Sequence, residues 1–312
     1  MLAACVPSSV AFDSSDPPLP DAEMLVWDGR DDPPDGIEAV EYLVLPYMGE
    51  ASPEILSRCP RVKVAQLLSA GYEAWIDVLP EGVVLCNGRG IHGGSTAELA
   101  LLGLLAVVRD FPSIVHNQST HSWRRVSSDT ICNYHVLVLG AGDIGSRVAG
   151  ALTALGARVT SVGRRSREGV RGLDSIDEVI GDVDAVVVAM PLTAETTRLV
   201  DAGFCAKLRD QAIVVNVARG GLVDTEALAD ELYAKRLRAF LDVVDPEPLP
   251  PEHRLWDAPN LLLTPHLGGG TRAWEDRARE LIRDQIRRLQ TGAPLRNVVR
   301  DAARSPSAGS SS

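Results

Sequence analysis

VLVLGAGDIGSRVAGALTALG, residues 136–156, decides the fold. Four consecutive apolar residues, Val136–Leu139, read as a buried strand. Gly140, Gly142 and Gly145 then match G-x-G-x-x-G, with Asp143 and Ile144 between the last two. After them Ile144, Val148, Leu152 and Leu155 fall on one helical face, and Gly156 suits the helix end. In a strand–turn–helix context each glycine has a purpose. Gly140 permits the tight turn, Gly142 lets backbone approach a pyrophosphate, and Gly145 lets helix and strand pack closely. The helix N-terminus attracts the phosphates. The competing reading is a turn with a structural role alone.

Working outward, strands are expected at 135–139, 157–162, 184–189, 212–217, 239–243 and 261–264, with a helix after Asp224 and another over 272–290. Upstream, MLVW (24–27), YLVLP (42–46), VKVAQLL (62–68) and VVLCN (83–87) alternate with short helical stretches such as SPEILSRCP (52–60). Strands alternating with helices imply parallel sheets covered on both faces. The fold class is therefore α/β, with two doubly wound parallel-sheet domains. A Rossmann cofactor domain over 96–274 is inserted in a discontinuous, flavodoxin-like substrate domain, 1–95 plus 275–312. A ligand-binding cleft is expected between the domains, at the carboxyl ends of the strands.

The second strand of the cofactor domain ends in SVGRRS, which places Gly163, Arg164, Arg165 and Ser166 where an NAD site has an acid. A carboxylate there repels a 2′-phosphate and guanidinium groups bind it. NADP(H) is the expected cofactor, with NAD(H) as the secondary one. A solvated loop that happens to be basic is the alternative.

Three later strands each end in a polar residue suited to chemistry. Arg219 is the fourth residue of NVARG (216–220), Glu247 lies between prolines in LDVVDPEP (241–248), and His266 follows Thr264-Pro265 in LLLTPHLGGG (261–270). An arginine can grip a carboxylate through two parallel bonds and polarise a carbonyl. A carboxylate beside an imidazole fixes its tautomer and favours the protonated form that a proton donor needs. Singly, each residue reads as a surface ion pair or a structural histidine. Together, downstream of a dinucleotide turn, they point to hydride transfer at the carbonyl of a 2-oxo acid.

Composition narrows the alternatives. With 31 basic and 42 acidic residues the net charge is −11, which argues against nucleic acid as a partner. The five cysteines lack CxxC spacing, so neither a metal site nor a disulfide framework is expected, and an odd count suits a reducing cytoplasm. The first residues lack the basic flank and long apolar core of a signal peptide. The longest apolar stretch, Ala97–Val108, contains Glu98 and falls short of the ~20 residues that cross a bilayer. It is expected to be a helix buried inside the chain or between two packed bodies. The tail SPSAGSSS (305–312) is expected to be disordered.

The segments MPLTAETTRLV (190–200), NVARGGLVD (216–224), LDVVDPEPLP (241–250) and PNLLLTPHLGGG (259–270) resemble those of the D-isomer-specific 2-hydroxyacid dehydrogenase family, glyoxylate/hydroxypyruvate reductases included. The resemblance implies Arg219 as substrate binder, His266 as acid/base and Glu247 as its partner. It also implies Asp242 at the nicotinamide carboxamide, and Pro191, Thr196, Ala218, Gly268 and Gly269 along the cofactor groove. The backbone amides of Ala70, Gly71 and Tyr72, in LLSAGYEAW (67–75), would hold the substrate carboxylate, although Gly71 also reads as an ordinary turn glycine. Loops 46–50, 70–76 and 88–95 would shape the pocket for the substrate side chain. There are departures. Leu99 stands where a histidine is frequent, SSDTICNYHVLVLG (127–140) lacks a basic-glycine turn, and the acid after the second strand is missing. The resemblance implies a small 2-oxo or 2-hydroxy acid as partner, no membrane, and a homodimer, to which the apolar helix 96–110 also points. A formate or phosphite dehydrogenase on the same scaffold and a nucleotide-sensing co-repressor are the alternatives. Retention of Arg219, Glu247 and His266 favours an enzyme.

Overall fold

The computed structural model describes residues 1–302 apart from 14, 15, 18, 20, 48–52 and 273. The serine-rich tail and most of the 46–50 loop lie outside them. The chain divides into two compact units, Met1–His92 with Arg272–Ser312, and Gly93–Thr271.

In the first unit, β1 (Leu2–Val6), β2 (Ala22–Val26), β3 (Tyr42–Val44), β4 (Val64–Gln66) and β5 (Val84–Cys86) run parallel in the order β5-β4-β3-β1-β2. The chain returns at Val298–Arg300 to pair antiparallel with β5 at the sheet's edge. Alternate residues feed two separate cores. Cys5, Leu43, Ala65 and Leu85 enter one, while Ala4, Val6, Tyr42, Val44, Val64 and Cys86 enter the other, beneath the helix Trp274–Thr291. This period of two is the reason for the register, because a one-residue slip would exchange the cores.

Two strands here are absent from the sequence reading. β1 is an inner strand, but LAACV is rich in small residues and opens the chain without a preceding turn. The strand Val298–Arg300 falls in what reads as coil after the last helix. Its Arg300 is buried, with the guanidinium satisfied by the carbonyls of Leu79 at 2.8 Å and Ile76 at 3.2 Å.

The second unit holds β6 (His135–Leu139), β7 (Arg158–Val162), β8 (Ala185–Val188), β9 (Ile213–Asn216), β10 (Arg238–Leu241) and β11 (Leu261–Leu263). All are parallel, in the order β7-β6-β8-β9-β10-β11. Val136, Val138, Val187 and Val215 point to the face covered by helices Gly93–Val108 and Asp143–Ala154, and Leu137, Leu139, Val186 and Val214 to the opposite face. Both faces are covered, as in a doubly wound sheet. Gly103 sits mid-helix because a Cβ there would come 2.1 Å from the Phe240 ring, so the ring packs onto bare backbone. The helix Thr225–Tyr233 begins at Asp224, whose side chain accepts from the Ala227 N–H at 3.1 Å.

The apolar helix is only partly interior. Glu98 and Leu102 are exposed and Leu101 and Leu105 half-buried, one stripe at helical spacing. An additional helix, Phe111–Ser119, follows it; a proline near its start and its polar composition hid it from the sequence reading. Among the described residues no single helix is long and apolar enough to cross a membrane.

Candidate active site

Parallel strands put all six of the second unit's carboxyl ends on one edge of the sheet, and each expected site residue of this unit follows one of those ends. Along the edge the order is the 163–167 loop after β7, the glycine turn after β6, Pro191 after β8, Arg219 after β9, Glu247 after β10 and His266 after β11. The order in which strands are added reverses at β6, with β7 on one side and β8 on the other, which makes the β6–β8 gap the switch point at which open α/β sheets hold ligands.

The glycine turn has the shape a dinucleotide needs. Gly140 has φ +115°, and a Cβ there would strike the Ala189 carbonyl oxygen at 2.2 Å. A Cβ on Gly145 would meet the Gly140 oxygen at 1.7 Å, so helix and strand touch through bare backbone. Gly142 has nothing within 4 Å of its Cβ position and caps the helix without a side-chain bond, leaving backbone open to an anion. Ile144 is half-buried and packs against the core. Asp143 pairs with Arg147 at 2.9 Å through one oxygen. Its other oxygen, buried without a hydrogen bond among the described residues, lies over Gly93 at the N-terminus of helix Gly93–Val108, where a helix dipole favours negative charge.

At the other end of the edge, Nδ1 of His266 lies 2.5 Å from Oε1 of Glu247. With Nδ1 committed to the carboxylate, Nε2 is the nitrogen left for a reacting oxygen. The loop bearing His266 is shaped by Asp242, which is buried. Its carboxylate accepts from Thr264 Oγ1 at 2.6 Å and from the N–H groups of Leu267 at 2.7 Å and Gly268 at 2.9 Å. The Asp242 carbonyl receives the His266 N–H at 2.8 Å, with His266 itself in the left-handed region at φ 54°. Gly268 is closely packed, since a Cβ would lie 3.1 Å from Asp242 and from Thr96.

Arg219 is half-buried and donates from Nη1 to the Ala218 carbonyl at 2.6 Å. Its turn is held by buried Asn216, which accepts from Ala218 N–H at 3.1 Å and donates to the Arg219 carbonyl at 2.9 Å. Next to it, a Cβ on Gly220 would strike the Val244 oxygen at 1.8 Å, so the arginine turn presses against the segment that carries Glu247. Thr196 is buried and ties its own loop, accepting from Thr193 N–H and donating to the Pro191 carbonyl, each at 2.8 Å.

The sequence profile of the D-isomer specific 2-hydroxyacid dehydrogenase NAD binding domain matches residues 101–268, over half of the 312-residue chain. This chain is a D-isomer specific 2-hydroxyacid dehydrogenase family member. It is 34% identical over 258 residues to a D-3-phosphoglycerate dehydrogenase of Mycobacterium tuberculosis, covering 79% of this chain and 48% of the relative. It thus spans about half the length of such curated relatives. A crystal structure of a family member from Xanthobacter autotrophicus Py2, in complex with NADPH and MES, superposes with a TM-score of 0.80 at 30% identity, covering 96% of this chain and 98% of that one. An NADPH-dependent glyoxylate/hydroxypyruvate reductase from Sinorhizobium meliloti, in complex with NADP and sulfate, gives 0.79 at 26% identity, covering 95% and 97%.

In this family member Arg164, Arg165 and Ser166 are exposed on the loop after Gly163. The arginine that reaches the glycine turn is a fourth residue, Arg167, absent from the sequence reading. Its Nη2 donates to the Ala141 carbonyl at 2.8 Å, and its Nη1 lies 3.6 Å from the Cβ position of Gly163. A third basic residue in GRRSREG was the available signal. Asn216 was likewise visible only as the first letter of NVARG. Ala70, Gly71 and Tyr72 belong to the first unit, following β4. The Tyr72 N–H donates to the Glu73 carboxylate at 3.0 Å.

Proposed function

We propose that this chain is an NADPH-preferring reductase of small 2-oxo acids, of the glyoxylate and hydroxypyruvate kind, forming D-2-hydroxy acids. The 2.5 Å contact between His266 and Glu247, on the sheet edge shared with Arg219 and the glycine turn, carries this reading. The turn at Gly140–Gly145 and the amides opening helix Asp143–Ala154 would hold the pyrophosphate. Asp242, Pro191, Thr196, Ala218, Gly268 and Gly269 would flank the nicotinamide. The three donors to Asp242 leave a carboxylate, with about four lone-pair sites, room for one more. When bound, the nicotinamide supplies a hydride to C2 of the oxo acid.

The chain's own residues do the rest. Arg219 grips the carboxylate and stabilises charge growing on the carbonyl oxygen. Backbone amides of the Ala70–Tyr72 loop would be the further carboxylate donors, those of Ala70 and Gly71 first, since the Tyr72 N–H is bonded to the Glu73 carboxylate at 3.0 Å. Nε2–H of His266 protonates the forming alkoxide while Glu247 holds the ring and balances the imidazolium. The basic loop from Arg164 to Arg167, with no acid at Gly163, favours a cofactor bearing a 2′-phosphate. The neighbours solved with NADPH and NADP support that preference, and the Sinorhizobium reductase supports the substrate class.

A homodimer is also proposed. Leu102, Phe111, Ile114 and Val115 are exposed within residues 102–115, and Trp123 is fully exposed just beyond them, an apolar run that association would cover. A cytoplasmic location fits five free thiols, four of them buried.

The test is NADPH and NADH oxidation with glyoxylate, hydroxypyruvate and longer or branched 2-oxo acids. Oxidation of formate, phosphite and D-3-phosphoglycerate is measured in parallel. Turnover over KM highest for a small unphosphorylated 2-oxo acid with NADPH supports the reading. A preference for any of the three parallel substrates, or no turnover, contradicts it.

A further inference from the structure

Three buried side-chain amides in the first unit belong to none of the site residues above. Gln66, at the end of β4, and Gln285, in the last helix, have no exposed surface, and Asn87, just past β5, is nearly as buried. Buried amides lower stability unless their bonds are met, and these are met in a chain that ends at the substrate loop. Gln285 accepts from Arg296 N–H at 2.9 Å and donates to Gln66 Oε1 at 3.0 Å. Gln66 donates to the backbone carbonyl of Asn87 at 3.0 Å, and the Asn87 N–H is held by the Asn297 carbonyl at 3.0 Å. The Asn87 side chain accepts from Arg89 N–H at 3.2 Å, which fixes its orientation, and its Nδ2 donates to the Ala70 carbonyl at 2.7 Å.

That last bond has a directional consequence. The Ala70–Gly71 peptide is trans, so its carbonyl and its N–H point opposite ways across one plane. Drawing the Ala70 oxygen toward buried Asn87 turns the Gly71 N–H away from the interior. Ser69 Oγ does the same for the next peptide, donating to the Gly71 carbonyl at 2.7 Å. The N–H of that peptide, on Tyr72, already meets a carboxylate, that of Glu73 at 3.0 Å.

We infer that Asn87 is a positioning residue for carboxylate recognition, holding the Ala70 carbonyl so that the Gly71 N–H is presented to the substrate's carboxylate. This rests on the reading, made above, that the Ala70–Tyr72 loop receives that group. Asn87 does not touch the reacting carbonyl, so its removal should weaken binding of the acid and spare the chemistry.

The test compares glyoxylate with methyl glyoxylate, which keeps the aldehyde and lacks the carboxylate. Asn87→Asp preserves shape and the acceptor for Arg89 while removing the donor to Ala70. Asn87→Ala removes the donor without burying a charge, and is read if the aspartate variant does not fold. A misaimed bond to a charged group should raise KM for glyoxylate about 10-fold or more, leaving kcat within about threefold. Turnover over KM for methyl glyoxylate and the Kd for NADPH should match the wild type. An unchanged KM for glyoxylate overturns the positioning role, as does an equal loss with both substrates. A wild type that reduces neither compound and binds no NADPH overturns the functional reading itself, and with it this inference.

Discussion

Replacing Arg167 with alanine probes how the basic loop selects a cofactor. The guanidinium is tied to the Ala141 carbonyl at 2.8 Å, beside the turn that would carry the pyrophosphate. Guanidinium has five N–H donors, so this tether leaves others for an anion. A charge-assisted bond to a 2′-phosphate contributes about 1.5–3 kcal/mol, or roughly 10- to 150-fold in NADPH turnover over KM. Arg167 is exposed, and solvent screening of exposed pairs places the expected loss at the low end, about 10-fold. NADH lacks the phosphate, and its turnover over KM should stay within about twofold, below the size of one such bond. The double change Arg164→Ala with Arg165→Ala should also lower the preference, by an amount that reports how much of the grip lies outside Arg167. Initial rates with both cofactors at saturating oxo acid give the ratios. An Arg167→Ala protein that keeps the wild-type ratio refutes a role for the tethered guanidinium. A wild type that uses NADH at least as well as NADPH refutes the reading of the whole loop.

Arg219→Lys should lower turnover over KM for the oxo acid about 10-fold or more while NADPH affinity holds, because a point ammonium cannot reproduce a planar two-bond grip; equal activity contradicts that grip. Burial pushes the thiols of Cys5 and Cys205 up to about 12 and those of Cys59 and Cys86 to about 11, while Cys132 is exposed. Thiolate is the reactive form, so a thiol reagent at pH 8 should titrate one group quickly in the native protein and five in denaturant; two or more fast native thiols contradict the packing. Light scattering at micromolar concentration should give twice the 33.4 kDa chain mass, and Leu102→Asp should shift the protein toward monomer; a 33.4 kDa wild type ends the dimer proposal.

Much of the second unit is legible in the chain because its strands are short, mostly apolar runs, several rich in valine, that end at glycine, proline or a polar residue. Its six strands stand within a residue or two of the expected spans. The first unit is less legible. LAACV has little strand propensity, and Val298–Arg300 becomes a strand only by pairing with β5, more than 200 residues earlier. Long-range contact also hides function. The role proposed for Arg167 rests on a bond to Ala141, 26 positions away, with only a third basic residue in GRRSREG as a local sign, and that proposed for Asn87 on one to Ala70, 17 away, which no local pattern marks. Asp242 shows the reverse: the family resemblance assigns it to the cofactor, while the fold has three donors from residues 264–268 on its carboxylate, so it builds the loop that holds His266.

Turnover of His266→Ala with glyoxylate and NADPH tests the central claim most directly. Positioned acid–base groups contribute about 10²–10⁴-fold, so kcat should fall within that range while the Kd for NADPH and the melting temperature stay near wild type. Glu247→Gln should give a smaller loss of the same kind, because its amide can still hold Nδ1 but carries no charge to balance the imidazolium. A folded His266→Ala protein that binds NADPH and turns over at near wild-type rate would contradict the assignment of His266 as proton donor.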